Sequence, residues 1–278
     1  MLPAVVRRHA SKVAYIAIGV ALFFAFLLAS FPYADTISGL LAPTGLHLST
    51  QSQGLSFPYG LRMDGVTLDS SRDGRELFQS AKLRVTPSIT AWLTGATGLR
   101  IKADAYRGNL DVHARRHGNE AEISFNGADL HIDDYTALRA MGVYVGGIVS
   151  GTGNAYLVQN DLFGDRGAVN LTASDASYRM FPGAPAWKLG DITAIVKLEQ
   201  GKITIEQIES HGGDIMLSGR GVIELQPNLR ESEVAIRFQL TLTPAGRKQL
   251  GFLVNFLPHP PNSTPYFLSG TLGFPSLT

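Results

Sequence analysis

Two histidines at a four-residue spacing are the first residues in the sequence that could do chemistry. His113 and His117 form an H-x-x-x-H pattern, which on a helix would place two zinc ligands on one face. The surrounding stretch, "LDVHARRHGNEAEISF", alternates instead like a strand that runs into a turn. On a continuous strand the two imidazoles would be about 13 Å apart, too far for one metal ion. We therefore expect solvent-exposed histidines and no metal site.

Adjacent carboxylates and a glycine-rich stretch offer two further kinds of chemistry. Asp133 and Asp134 could bind calcium or share a proton. Adjacent side chains point apart on most backbones, however, so we expect this pair to cap a helix over residues 133–142. The stretch "GTGNAY", residues 151–156, begins like a dinucleotide-binding loop, yet Tyr156 stands where the third glycine belongs and no helix follows.

Other signatures of catalysis are missing from the sequence. It contains neither a G-x-S-x-G nucleophile elbow nor a G-x-x-x-x-G-K-[ST] phosphate loop. The chain has no cysteine, which excludes disulfides, thiolate metal sites and cysteine nucleophiles. The sequence therefore predicts no catalytic, metal-binding or cofactor-binding residue and no small-molecule substrate, and we expect the protein not to be an enzyme.

An uncharged apolar segment near the amino terminus predicts a membrane anchor. Residues 13–31 would form a helix about 28 Å long, which nearly matches a hydrocarbon core of about 30 Å. Three basic residues precede it, so residues 1–12 are expected in the cytoplasm and the bulk of the chain across the membrane. A cleaved signal peptide, with Ala29 and Ser30 as its small residues, is the alternative. The span residues are Val13, Tyr15, Ile16, Ile18, Leu22, Phe23, Phe24, Phe26, Leu27 and Leu28.

Charge and composition narrow the classes of partner. Of 278 residues, 45% are hydrophobic and 17% are charged, against about 25% charged in typical soluble domains. Removing Arg7, Arg8 and Lys12 from the 24 basic residues leaves 21 against 23 acidic residues in the exported part. Because nucleic-acid binding needs an excess of positive charge, we expect no nucleic-acid partner.

Residues 46–278 carry the pattern of antiparallel strands. In "ESEVAIRFQLTLTP", residues 231–244, large apolar side chains occupy every second position, as in a strand with one apolar and one polar face. Similar segments follow one another across short joints, which favours antiparallel pairing because parallel neighbours need long crossovers. After a tether over residues 32–45, we predict a mainly β domain of roughly 13 to 16 strands, mostly antiparallel and curved. The predicted short helices cover residues 88–93, 133–142 and 243–257.

Such strands have to bury their apolar faces, and the sequence is compatible with three arrangements of the sheet that would do so. The sheet can curl into a barrel or half-barrel, stack as a sandwich, or keep an apolar groove for a ligand. For the apolar residues near the carboxyl terminus, the alternatives are core packing and contact with a partner or with lipid. The candidate contact residues are Val234, Ile236, Phe238, Leu240, Leu242, Leu250, Phe252, Leu253, Phe256 and Leu257.

Short landmarks spread over most of the chain resemble known envelope proteins. They are "FPYADTISGLL", "GLSFPYGLRMDGVTL", "LRVTPSITAWLTG", "HGGDIMLSGRGVIEL" and "LSGTLGFP". With the basic stub and the single span, they resemble the N protein of the type II secretion system, in the single-span inner-membrane form of some Gram-negative bacteria. The recurring glycine before an alternating strand also resembles, more loosely, the AsmA-like family of inner-membrane-anchored periplasmic proteins. Neither resemblance implies catalytic residues.

The resemblances imply two hypotheses from different functional classes. The first is a non-catalytic, single-pass inner-membrane subunit of the type II secretion machinery, with a cytoplasmic amino terminus and a periplasmic β domain that contacts other platform subunits. The alternative is an AsmA-like module that binds or transfers lipid in a curved, apolar sheet. A third hypothesis is an envelope hydrolase. It is disfavoured because the sequence shows no set of catalytic residues.

Overall fold

The described part of the chain begins at residue 46. The computed structural model describes residues 46–56, 60–70, 74–88, 91, 95–158, 164–251, 254 and 257–278. The predicted cytoplasmic stub, membrane span and tether, together residues 1–45, lie outside these residues. No helix within the described ranges is long and apolar enough to cross a membrane.

Within the described residues, fifteen strands form one antiparallel sheet. Each strand from β3 to β14 pairs with the next strand in the chain, and β1 and β2 both pair with β3. The sheet does not close, so its last strand forms an open edge. The prediction of a mainly β, antiparallel domain is therefore confirmed. The strands are β1 Leu46–Ser49, β2 Ser52–Ser56, β3 Gly60–Ser70, β4 Glu76–Pro87, β5 Thr97–Ala105, β6 Gly108–His117, β7 Glu120–His131, β8 Tyr144–Val158, β9 Arg166–Arg179, β10 Trp187–Glu199, β11 Lys202–Gly212, β12 Ile215–Glu224, β13 Glu233–Leu242, β14 Tyr266–Thr271 and β15 Phe274–Leu277.

Two-residue turns make several neighbouring strands into hairpins. Between β5 and β6, Tyr106 and Arg107 have φ values of 50° and 61°. Between β10 and β11, Gln200 and Gly201 have φ values of 53° and 73°. Two successive positive φ values are typical of type I′ turns, whose twist matches that of the paired strands. Because such tight joints place consecutive strands side by side, they favour a meander, in which each strand pairs with those before and after it in the chain.

The helix predicted over residues 133–142 is shorter and divided. Ile132–Asp134 form a 3-10 turn, and the α-helix α1 covers Thr136–Ala140. The residue at the amino-terminal cap of α1 is Tyr135, and no side chain caps the helix. The expectation that Asp133 or Asp134 caps it is therefore wrong. Both carboxylates instead accept hydrogen bonds from the guanidinium of Arg107 in the β5–β6 turn, at 3.2 and 2.5 Å respectively.

The last predicted helix begins where expected and ends early. Helix α2 covers Pro244–Leu250, and the Thr243 hydroxyl accepts a hydrogen bond from the Gly246 amide at 3.1 Å, as the sequence predicts for a cap. The helix was expected to reach residue 257, but it ends at Leu250 because Gly251 takes a φ of 30°. Beyond it, the last two strands form the hairpin β14–β15, which turns at Leu272 and Gly273.

Within the described residues, six of the fourteen buried apolar side chains form two small clusters. One lies between β1 and β3 and contains Leu48, Met63 and Val66. The other joins α2 to β12 and β13 and contains Ile215, Leu242 and Leu250. Neither cluster lies in the middle of the sheet, so most of the sheet's apolar surface is not part of a conventional two-layer core.

Candidate functional site

The pairing register gathers the apolar side chains onto one face of the sheet. Partner residues on neighbouring antiparallel strands point to the same face, so a chain of partners forms a row that runs across the strands. One such row, here the central row, has one member on every strand from β2 to β15, and each member is apolar or glycine. It consists of Leu55, Leu61, Val85, Ile101, Val112, Phe125, Gly153, Val169, Val196, Ile205, Gly221, Ile236, Leu268 and Leu277.

Two rows of the same character flank the central row. The first flanking row consists of Pro87, Leu99, Ala114, Ile123, Ala155, Gly167, Leu198, Ile203, Ile223, Val234, Gly270 and Pro275. The second consists of Met63, Leu83, Ala103, Leu110, Gly127, Gly151, Leu171, Ala194, Ile208, Gly219, Phe238 and Tyr266. The Tyr266 hydroxyl, the one polar side-chain group in these rows, donates to the His259 carbonyl at 2.8 Å. We call the three rows together the apolar face.

Glycines allow large side chains to lie flat on the apolar face. A Cβ added to Gly153 would lie 2.4 Å from Cε1 of Phe125, so the ring rests over the glycine. Similarly, a Cβ on Gly151 would lie 2.5 Å from Cδ2 of Leu171. Aromatic and branched side chains can fill the space that a neighbouring glycine leaves on a sheet. The side chains of Phe125 and Leu171 therefore cover these two glycines of β8.

Much of the apolar face remains accessible. Leu99 and Leu171, in the two flanking rows, are 40% and 36% exposed. By strand and residue spacing, the three rows span about 60 Å by about 14 Å, or about 800 Å² in total. Within this area Met63, Ala103, Val234 and Tyr266 are already buried. The largest apolar patch on a typical monomer is about 300 to 600 Å². A surface of this size requires a cover.

The opposite face is polar and pairs its own charges. Asp111 accepts two hydrogen bonds from the Arg100 guanidinium, at 2.6 and 3.1 Å, which hold the pKa of that carboxyl below its ordinary value. Lys197 lies 2.6 Å from a Glu206 oxygen, and this hydrogen bond raises the pKa of the lysine. Ion pairs between exposed neighbours of this kind are typical of a face in contact with water. The sheet thus has one polar, solvent-facing side and one apolar side.

The structure places the predicted contact residues in two groups. Val234, Ile236 and Phe238 belong to the three rows of the apolar face. Leu240 and Leu242 continue the same face of β13 toward α2, where Leu242 and Leu250 pack in the second buried cluster. Leu257 is half-buried beyond the helix. The remaining three, Phe252, Leu253 and Phe256, lie outside the described residues.

Of the residues considered for chemistry, the two histidines and Tyr156 lie on the polar face, whereas Gly151, Gly153 and Ala155 belong to the apolar face. His113 and His117 are both on β6, and His113 lies 3.3 Å from Asp111. The "GTGNAY" stretch is an internal part of β8, where Tyr156 lies under the Arg166 guanidinium at 4.5 Å. Among the described residues, no group of three or more histidines and carboxylates could hold a metal ion.

Most of the apolar face was not found from the sequence. Its members on β4 to β11 alternate in each strand, but a single strand shows only which residues share a face. The register that aligns them across strands depends on bulges, such as those between Gly127 and Leu130 and between Ile205 and Ile208. The glycines that lie beneath large side chains gave no separate signal.

Comparison with known proteins does not assign a function to this sheet. No family model matches the chain, and no match is found among curated proteins or among solved structures. Function has to be inferred from the chain's own residues.

Proposed function

We propose that this protein is a non-catalytic binding protein of the cell envelope whose apolar face holds the hydrocarbon chains of lipids. The observation that carries the proposal is the set of three apolar rows, unbroken by a charged side chain, across the sheet. In this proposal the sheet curves around the bound chains as an open groove, with its charged face toward water.

The apolar face has to be shielded from water by a second layer. Stable domains bury each apolar sheet face against a second layer, and an isolated layer leaves its apolar surface in water. The helices α1 and α2 are five and seven residues long, too short to cover a face that crosses more than ten strands. The cover must therefore come from another part of the chain, another protein or lipid.

The lack of hydrogen-bonding side chains in the central row favours lipid, rather than protein, as the molecule that covers the apolar face. Protein interfaces carry about one hydrogen bond per 100–200 Å² and concentrate their binding energy in pockets for aromatic or arginine anchors. The central row has no side-chain donor or acceptor, and the Phe125 ring fills the space beside Gly153. A strip without polar groups suits hydrocarbon chains, which need apolar contact and no directional bonds.

The proposed location supplies such chains. The sequence predicts a single helix in the inner membrane over residues 13–31 and places residues 46–278 in the periplasm. The predicted tether of residues 32–45 would keep the sheet close to the bilayer surface. Lipid from that bilayer is the nearest source of apolar chains.

Site-specific photocrosslinking in cells tests this proposal with the full chain. A benzophenone amino acid replaces Val112, in the central row, or His113, its neighbour on the opposite face. After labelling of lipids with radioactive phosphate, irradiation and denaturing purification, we expect labelled protein from the Val112 position. His113 provides the matched control and should give little label. Equal labelling at the two positions, or a Val112 position that crosslinks only to protein, would overturn the proposal.

A second candidate function is a subunit of the type II secretion machinery. It is supported by the sequence landmarks, one of which, "LSGTLGFP", forms the hairpin β14–β15 at the open edge of the sheet. Phe274 on that edge strand is 87% exposed, and an edge strand offers unpaired backbone groups to a partner. With the same benzophenone at Phe274, this candidate expects a crosslink to a protein of the secretion platform. A Phe274 position that crosslinks to no platform protein would argue against it.

A further inference from the structure

One cavity of the sheet is lined mainly by residues of the polar face, together with Ile205, Gly221, Ile236 and Leu268 of the central row. It has a volume of about 420 Å³ and lies across β11 to β14, within the range of small-molecule sites. Val222, Ala235 and Phe267 give it an apolar surface, and Phe267 is 48% exposed. Arg220 and Arg237 also line it. The cavity thus combines an apolar surface with two cationic groups.

The two arginines are direct cross-strand partners. Arg220 on β12 pairs with Arg237 on β13, and like charges placed directly opposite are unfavourable in a sheet. Within the described residues, neither guanidinium forms an ion pair with a carboxylate. Arg237 instead lies over the Phe267 ring, 5.4 Å from its centroid, a cation–π contact that orients the guanidinium beside the aromatic ring.

Unlike Arg220 and Arg237, the lysines nearby form ion pairs with glutamates. Lys202 lies 2.8 Å from Glu224, and Lys197 lies 2.6 Å from Glu206. Glu206 is the one carboxylate that lines the cavity, and its charge is already matched by Lys197. An unmatched positive charge therefore remains at the two guanidinium groups.

We propose that this cavity binds a carboxylate that carries an apolar group. The carboxylate lies between the guanidinium groups of Arg220 and Arg237, whose planar N–H donors match it in a forked geometry. The apolar group contacts Phe267, Val222 and Ala235. Binding removes the repulsion between the two arginines, so the bound anion supplies the charge that the sheet itself lacks. Arg220, Arg237 and Phe267 belong to the face opposite the lipid-binding rows, so substituting either arginine leaves the side chains of those rows unchanged.

Fluorine NMR of the full chain in phosphatidylcholine nanodiscs tests the proposal. The probe is trifluoromethyl-benzoate, and the matched neutral probe is trifluoromethyl-benzyl alcohol. We expect the benzoate to bind, and we expect Arg220→Gln and Arg237→Gln each to weaken it by about tenfold, because each removes one charge-assisted pair. The alcohol lacks the anion and should bind weakly and equally to all variants.

A distant arginine on the same face provides the control. Arg84 on β4 is exposed, and Arg84→Gln makes the same charge change far from the cavity. It should leave benzoate binding unchanged. Without ligand, Arg220→Gln should unfold at the same or a higher temperature than the wild type, since it relieves a repulsion. Equal affinities of the two probes, or benzoate binding that survives both cavity substitutions, would overturn the proposal.

Discussion

A lysine in the central row gives the sharpest test of the lipid-binding face. Val169 on β9 belongs to that row, where it pairs with Gly153 and Val196. The next residue, Asn170, points to the opposite face and is exposed. Val169→Lys and Asn170→Lys therefore place the same side chain on the two faces of one strand, one residue apart.

The expected difference follows from what covers each face. A lysine against hydrocarbon costs about 2–4 kcal/mol, as on the lipid-facing side of membrane barrels. Replacing valine also removes roughly 1 kcal/mol of apolar contact. Even the lower limit of about 2 kcal/mol changes the ratio of loaded to empty protein by about 30-fold. Asn170→Lys exchanges one polar group in water for another, and such changes remain within about 0.5 kcal/mol.

The loaded fraction can be read from the benzophenone at Val112, which lies in the same row. We expect Val169→Lys to remove nearly all lipid adduct at this position and Asn170→Lys to leave it unchanged. Circular dichroism checks that both variants keep the strand content of the wild type. If the two lysines lower the adduct equally, or if Val169→Lys leaves it intact in a folded protein, hydrocarbon does not cover this face.

Three further predictions concern packing, capping and charge. Gly153→Leu should lower the free energy of unfolding by about 1–3 kcal/mol in a denaturant titration, because its Cβ would lie 2.4 Å from a Phe125 ring carbon. Thr243→Ala should cost about 1 kcal/mol, measured as a lower melting temperature, because it removes the side-chain cap of α2. The pKa of Asp111, measured by carbon NMR, should lie below its ordinary value of 3.8, because the Arg100 guanidinium donates to the carboxylate. Its stabilising contribution is present above that value and is lost as the pH falls through the lowered pKa, and Arg100→Gln should reduce this acid dependence.

The class of fold could be predicted because the signals are local. In β13, every second residue from Val234 to Leu242 is apolar, and this period alone distinguishes a strand from a helix. The turn at Gln200 and Gly201 is short enough to require antiparallel neighbours. Helix ends were harder, because Gly251 ends α2 through its backbone conformation and Arg107 attracts the carboxylates expected to cap α1.

The candidate sites depend on alignment between strands distant in the sequence. Alternation indicates that Val112 and Val169 each face away from polar neighbours, but not that both belong to one row with Ile236. The same holds for Arg220 and Arg237, which are ordinary surface residues in the sequence and become a like-charged pair only through the β12–β13 register. Register is a property of paired strands, so one strand cannot reveal it.

The sequence by itself determined that this chain forms many two-faced antiparallel strands, because side-chain period and turn chemistry act within a few residues. It also determined that no cysteine chemistry is available and that an apolar segment precedes the β domain. Only the tertiary structure decided that the strands form one open sheet with three continuous apolar rows. The reason is physical: closure and register depend on hydrogen bonds and bulges between strands, and their energies belong to pairs of segments rather than to either segment alone.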